Sequence, residues 1–241
     1  GKFAVPILEK LGCDVECLYC EPDGTFPNHF PDPTVEEHLE DLIALVAEHN
    51  ADLGIAFDGD ADRLGVVSNK GEIIWGDKLL LLFARDILKD NPGATIIGEV
   101  KCSQVLYDGI RKYSGNPIMW KAGHSLIKAK MKQEKALLGG EMSGHLFFAD
   151  RYFGYDDAIY AAVRLLEILS RTDQDLSELL ADIPVTFSTP EIRMDCEDHK
   201  KAQVVEKIKN HYKNTPGVID IDGVRVPFED GWALVRCSNT Q

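Results

Sequence analysis

Apolar and polar positions along this chain switch between a helical and a strand period, and each switch marks an element. Ile7-Leu8-Glu9-Lys10-Leu11 predicts the end of a helix stopped by Gly12. Asp41 to His49 predicts an amphipathic helix end, with Asn50 as its stop. Ala51 to Phe57 then predicts a buried strand with Leu53, Ile55 and Phe57 on one face. Leu64 to Ser68 and Glu72 to Trp75 flank Asn69-Lys70-Gly71, the pattern of a hairpin. Asp77 is expected to cap an apolar helix running to about Leu88 and closed by Asn91-Pro92-Gly93. Thr95 to Val100 predicts a strand, Ser103 to about Tyr113 a helix, and Pro117 to Trp120 another strand. His124-Ser125 opens a helix to about Lys135, and Ala136 to Leu138 predicts a strand leading into Gly139-Gly140-Glu141. Asp156 to Ser170 places Ile159, Ala162, Val163, Leu166 and Leu169 at helical spacing.

Strands alternating with helices imply an α/β layer fold, with ligand sites at the C-terminal ends of the strands. The character changes near Ile183-Pro184. A strand over Val185 to Phe187 that continues past Pro190, a helix from His199 to about Tyr212, and strands over Val218 to Val226 and Trp232 to Arg236 predict the start of an α+β unit. The chain enters directly into a helix and stops after a strand. It therefore reads as a fragment, with one whole α/β unit (about 70 to 182) between two partial ones. Pro22 to Pro33 reads as an exposed loop.

Composition narrows the class. Of 241 residues, 44% are apolar and 27% charged, which is globular rather than disordered. The longest aliphatic and aromatic run, Leu79 to Phe83, is far shorter than the roughly 20 residues of a membrane span. Forty acids against 26 bases give a formal charge of −14. That argues against nucleic acid as a partner, since such binding rests on cationic neutralisation of phosphates. The expectation is a soluble, cytoplasmic chain in which any anionic ligand is gripped by locally gathered cations.

Three of the six cysteines form Cys13-x3-Cys17-x2-Cys20, the spacing of a radical S-adenosylmethionine iron-sulfur site. The alternating stretch Cys13 to Tyr19 predicts a short strand, however. That would put residues 13 and 17 on one face and residue 20 on the other. Buried, inert thiols are the better expectation.

The sharpest chemical signal is Asp58-Gly59-Asp60-Ala61-Asp62-Arg63, directly after the strand ending at Phe57. Two unit charges about 4 Å apart at an effective dielectric near 20 repel by roughly 4 kcal/mol. A divalent cation relieves that repulsion, and all-oxygen ligands suit a hard ion such as Mg²⁺. An EF-hand fails, because its Gly and Glu positions fall on Arg63 and Asn69. Glu141-Met142-Ser143-Gly144-His145 gathers a carboxylate, a hydroxyl and an imidazole able to grip vicinal hydroxyls. Lys121-Ala122-Gly123-His124-Ser125 opens a helix, whose N-terminus is a ready anion site, and His124 can donate to a phosphate or shuttle a proton. Lys101 adds a cation at the same sheet edge, and Arg236-Cys237-Ser238-Asn239-Thr240 carries a set suited to a phosphate monoester. A metal loop, a polyol clamp, a histidine and scattered cations together point to phosphoryl transfer on a sugar phosphate.

In this order the four motifs resemble the α-D-phosphohexomutase family across nearly the whole chain, and Met142 and Asn239 are similar to its mannose- and glucose-acting branch. The resemblance implies phosphoglucomutase-like, mixed-sheet, three-layer α/β units followed by the start of an α+β domain. It divides the chain into part of domain 2 with the metal loop (1–68), domain 3 with the sugar loop (69–182) and part of domain 4 with the phosphate loop (183–241). It further implies Mg²⁺ on Asp58, Asp60 and Asp62, with Arg63, Lys101 and His124 catalytic. Lys101, His124, Glu141, Ser143, His145, Arg236, Ser238, Asn239 and Thr240 would bind the substrate.

The implied reaction interconverts hexose 1- and 6-phosphates of mannose or glucose through a phosphoserine and a bisphosphorylated sugar, in a monomer. The family's phosphoserine loop, in an N-terminal domain, does not occur in this sequence, so the chain is expected to be inactive alone. Ala122 and Cys237 stand where the nearest relatives often have Thr and Ala. The rival readings are a non-catalytic module binding sugar phosphates and Mg²⁺, and the iron-sulfur enzyme.

Overall fold

A computed structural model describes residues 1–189 and 191–237. Helix α1 (Ala4–Lys10) is followed by a long irregular stretch, a 3-10 turn (Glu36–Leu39) and α2 (Glu40–His49), which Asn50 closes at φ 52°. Strands β1 (Leu53–Phe57), β2 (Leu64–Ser68) and β3 (Ile73–Ile74) form an antiparallel sheet in that order. Asn69-Lys70-Gly71 makes the β2–β3 turn, with Val66 opposite Ile74. β2 is buried throughout, whereas β1 is mostly half-buried.

The second unit runs through α3 (Gly76–Asp90), β4 (Thr95–Glu99), α4 (Gln104–Lys112), β5 (Asn116–Trp120) and α5 (His124–Glu134). It continues with β6 (Leu138–Gly140), β7 (Leu146–Phe148), α6 (Ala158–Leu169) and α7 (Leu176–Leu180). Its sheet has the order β5-β4-β6-β7. The first three strands are parallel and β7 is antiparallel to β6. The chain leaves β4 for one side and then crosses it to reach β6 on the other, so a topological switch point lies between β4 and β6. Adjacent sheet residues face opposite layers. Ile96, Leu146 and Phe148 pack with α3, α4 and α6, while Ile97 and Phe147 meet Ile127 and Met131 of α5. This is the expected three-layer α/β architecture with a mixed sheet.

Helix α3 buries Leu79 to Ala84 without a break, so it lies inside the molecule rather than on its surface. Leu64, Val66 and Ile74 of the first sheet belong to the same apolar cluster as α3, and so the first two units share one core. Each fully buried leucine there contributes roughly 1.5–3 kcal/mol. The third unit, α8 (Asp198–Tyr212) with the hairpin β8 (Val224–Phe228) and β9 (Gly231–Val235), supplies no residue to that core. It is tied down by polar contacts instead. Buried Arg225 donates to the carbonyls of Val100 and Cys102, 2.8 Å each, and its guanidinium lies 3.7 Å from the Trp232 ring centroid.

Several expectations needed correction. Asp77 does not cap α3. It lies in the first turn, and its carboxylate accepts the Ser103 N–H at 2.9 Å, holding the start of α4 instead. β6 sits two residues later than expected, and β7 and α7 were not anticipated because three- and five-residue elements carry too little periodicity. Cys13 to Tyr19 forms no ladder among the described residues. Cys17 is exposed, and Cys13 and Cys20 are only half-buried, so the buried-thiol reading fails. Burial, with Cys17 hydrogen-bonded beside it, pushes the Cys20 thiol up to about 11. Val185 to Phe187 is not a strand, and Val185 and Phe187 are 81% and 97% exposed. The strand expected from Val218 begins at Val224, with only an isolated bridge pairing Ile219 with Arg225 before it. No helix among the described residues is long and apolar enough to cross a membrane.

Gly76 starts α3 beneath the Glu141–Gly144 loop. A Cβ there would press on the Glu141 carbonyl, meet the Met142 carbonyl at 2.8 Å and the Gly144 nitrogen at 3.0 Å. Gly76→Ala is therefore expected to destabilise by about 1–3 kcal/mol, because backbone must move. Gly24→Ala, in open space, should stay within about 0.5 kcal/mol. Urea unfolding of the two variants measures the difference, and matching midpoints would refute the close approach.

Candidate functional site

Four strand ends deliver the site. β1 ends in the aspartate loop, β4 in Lys101, β5 in Lys121–Ser125, and β6 in Glu141–His145. β4, β5 and β6 are parallel, so their three loops emerge at one sheet edge.

The aspartate loop is organised by its own first carboxylate. Asp58 Oδ1 accepts the N–H groups of Asp62 and Arg63 at 3.1 Å, and Oδ2 accepts Arg63 Nε at 2.6 Å. Arg63 also donates to Asp32 Oδ1 at 3.0 Å. Burial pushes the Asp58 carboxyl up, but the bonds and charge of Arg63 outweigh it and leave the group below its ordinary value. Asp62 goes the other way, pushed up to about 6 by burial, against the opposing charge of His145, with help from Asp58 and Asp60. Carboxylate oxygens of Asp58, Asp60 and Asp62 lie within 4.8 Å of one another. Crowded oxygens with a displaced pKa are the donor set that a hard divalent cation fits.

Backbone joins this loop to the Glu141–His145 loop. The Leu64 N–H donates to the Gly144 carbonyl at 3.0 Å, and Arg63 and His145 form a bridge pair. The His145 imidazole faces Asp156, with Nδ1 3.1 Å from Oδ2 off the hydrogen-bond line, and lies 3.6 Å from Asp62. Burial pushes His145 down, but contact with Asp156 and the charges of Asp62 and Glu141 overcome it, so the imidazole is raised overall. His124 stacks on His145 with centroids 5.8 Å apart and approaches Asp156 at 3.8 Å, and Lys128 donates to the other Asp156 oxygen at 2.8 Å. Asp156 is thus the hub of the histidine pair, and its carboxyl is held well below the ordinary range.

Glu141 is buried and accepts the Gly123 N–H at 2.6 Å. The Ala122 N–H goes to Asp222 at 3.1 Å, so the two amides just before His124 are met by the protein's own carboxylates. Fully buried Glu99 accepts the N–H groups of Lys101 at 2.8 Å and Met142 at 3.2 Å, and Lys101 Nζ lies 3.9 Å from it. Ser143 is half-buried within the Glu141–His145 loop. Arg236 reaches the same region through Asp222, while Ser238, Asn239 and Thr240 lie outside the described residues.

The described residues anticipated from sequence thus form one connected patch. The links between them were not anticipated. Asp156 and Lys128 read only as parts of helices, although Lys128 sits one turn after His124. Asp32, Glu99 and Asp222 carried no local signal.

Three family models match the chain in order. "Phosphoglucomutase/phosphomannomutase, alpha/beta/alpha domain II" covers residues 1–71, "alpha/beta/alpha domain III" 75–187, and the "C-terminal domain" 191–241. The chain belongs to the phosphoglucomutase/phosphomannomutase family. It is 53% identical over 241 residues to a phosphomannomutase/phosphoglucomutase of Pseudomonas putida, covering all of this chain and 52% of that protein. A phosphoglucomutase of Neisseria gonorrhoeae is 49% identical over 243 residues, covering all of this chain and 53% of its own. The crystal structure of a phosphoglucomutase/phosphomannomutase family protein from Burkholderia thailandensis matches with a TM-score of 0.91 at 46% identity, covering 99% of this chain and 51% of its own. The chain spans about half the length of the curated relatives it matches. Nothing in these comparisons supports the iron-sulfur reading or the non-catalytic module.

His145 is expected to titrate above its ordinary value near 6.5, and Asp156→Asn should bring it down. The stability it adds is full below that ordinary value and fades as pH rises through the elevated folded one. Imidazole NMR titration of both proteins reads the shift. An unchanged His145 in Asp156→Asn would remove Asp156 as the cause.

Proposed function

We propose that this chain is the metal- and sugar-binding portion of a hexose phosphate mutase that interconverts 1- and 6-phosphates of glucose and mannose. One observation carries the reading. A crowded carboxylate loop and a Glu-Ser-His loop, each suited to one half of such a reaction, are hydrogen-bonded to each other through Leu64 and Gly144.

Mg²⁺ fits Asp58, Asp60 and Asp62, and when bound it supplies neutralising charge to the transferring phosphoryl group. Arg63, fixed by Asp58 and Asp32, presents a preorganised guanidinium beside that group. Glu141 and Ser143 hold the sugar hydroxyls, with His145 lining the same pocket. Arg236, Ser238, Asn239 and Thr240 grip the phosphate that is not reacting. The donor is a serine phosphate outside these 241 residues. The attacking sugar hydroxyl gives its proton to His124 or Lys101 as its oxygen bonds to phosphorus, and the serine oxygen leaves. The bisphosphorylated sugar then turns over and returns its other phosphoryl group to the serine, with the same residues donating the proton. The chain alone therefore binds but does not turn over.

In the complete protein, Asp60→Asn is expected to lower conversion of mannose 1-phosphate to mannose 6-phosphate roughly 10²-fold or more with Mg²⁺ present. Glu141→Ala should weaken calorimetric binding of glucose 1-phosphate. Full turnover in Asp60→Asn would sink the metal assignment, and unchanged binding in Glu141→Ala the sugar clamp.

A further inference from the structure

We propose that Asp222 is a positioning residue that sets the Arg236 guanidinium, and through it the distal phosphate of the substrate, in register with the loop carrying His124. One oxygen of its carboxylate, Oδ2, accepts two hydrogen bonds from different units, the Ala122 N–H at 3.1 Å and Arg236 Nε at 3.1 Å. The Asp222 side chain is 12% exposed and that of Arg236 20%, so both bonds form in a partly dehydrated crevice where they are strengthened.

The placement of the carboxylate is built into the backbone. Gly223 follows it at φ 76°, and a Cβ on Gly223 would meet Arg236 Cβ at 2.6 Å and Cα at 2.7 Å. Asp222 therefore rides on a turn packed directly against the residue it orients. On the other side, Ala122 precedes Gly123, whose N–H is held by Glu141, and His124 follows at once. Asp222 and Glu141, from separate units, thus hold consecutive amides of one loop.

A guanidinium held at Nε is fixed in its plane, and its two terminal amino groups are the pair that a phosphate takes bidentately. The negative charge of Asp222 by itself opposes an arriving phosphate, so its benefit lies in orientation. Because Glu141 continues to hold the His124 loop when Asp222 is removed, the loss should fall on substrate binding more than on the chemical step.

The inference rests on Arg236 being a phosphate ligand, and steady-state kinetics of the complete protein with glucose 1-phosphate tests both. Asp222→Ala is expected to raise KM about tenfold with kcat held within about threefold. Asp222→Asn, which keeps an acceptor oxygen, should recover most of the KM, and Asp222→Glu, which keeps the charge but moves the oxygen, should recover less. In an Arg236→Ala background, Asp222→Ala should add no further rise. If Arg236→Ala raises KM while Asp222→Ala does not, or if the two losses simply add, the positioning role is overturned and the phosphate ligand stands. If Arg236→Ala leaves KM unchanged, the phosphate ligand itself falls. Should Asp222→Ala fail to fold, the Asn and Glu variants carry the comparison, and equal KM values in both and the unaltered protein overturn the proposal.

Discussion

The aspartate loop and the Glu141–His145 loop can act on one molecule only if they stay in register, and a backbone hydrogen bond from Leu64 to Gly144, beside the Arg63–His145 bridge, sets that register. Such a bond is worth only about 1 kcal/mol net, so it cannot hold two loops by itself. It holds because what lies beneath cannot slide. Leu64 belongs to the core shared by the first two units, and Gly76 leaves no room under residues 141–144. Around that bond the charged groups fall into place. His145 is carried to Asp62 and Asp156, Asp156 collects Lys128 and His124, and the Ala61 carbonyl accepts the Ala158 N–H at the start of α6.

An acidic chain of net charge −14 must gather positive charge where an anionic substrate is to bind. The structure achieves this by spending carboxylates as scaffolding. Asp58 and Asp32 fix Arg63, Glu99 fixes the Lys101 backbone, and Asp222 fixes Arg236. Each acid lowers the local positive potential, but Asp58, Asp32 and Asp222 remove rotational freedom that the two arginine side chains would otherwise lose on binding.

The three units are joined by different physics. The first two are fused through apolar surface, which no local rearrangement can open without exposing α3 to water. The third is held by Arg225 on the carbonyls of Val100 and Cys102 and by Asp222 on Ala122. Those are directional contacts, each replaceable by water at modest cost. The least apolar of the two joints is therefore the one beside Arg236.

The amino-acid sequence by itself determined the helices and longer strands, because their apolar periodicity is local, and it determined the aspartate, lysine-histidine and glutamate-histidine loops, because each is a compact run of chemical groups. It misjudged Val185 to Phe187 and Cys13 to Tyr19, whose alternation matched a strand although no ladder partner stands beside them among the described residues. What only the tertiary structure decided is which carboxylates serve as supports and which groups they hold. Asp77, Glu99, Asp156 and Asp222 look alike in a sequence, and each takes its role from a partner between 26 and 100 residues away. A carboxylate's work is set by the charge and donors around it. Those neighbours are brought together by a buried core whose contacts span the chain.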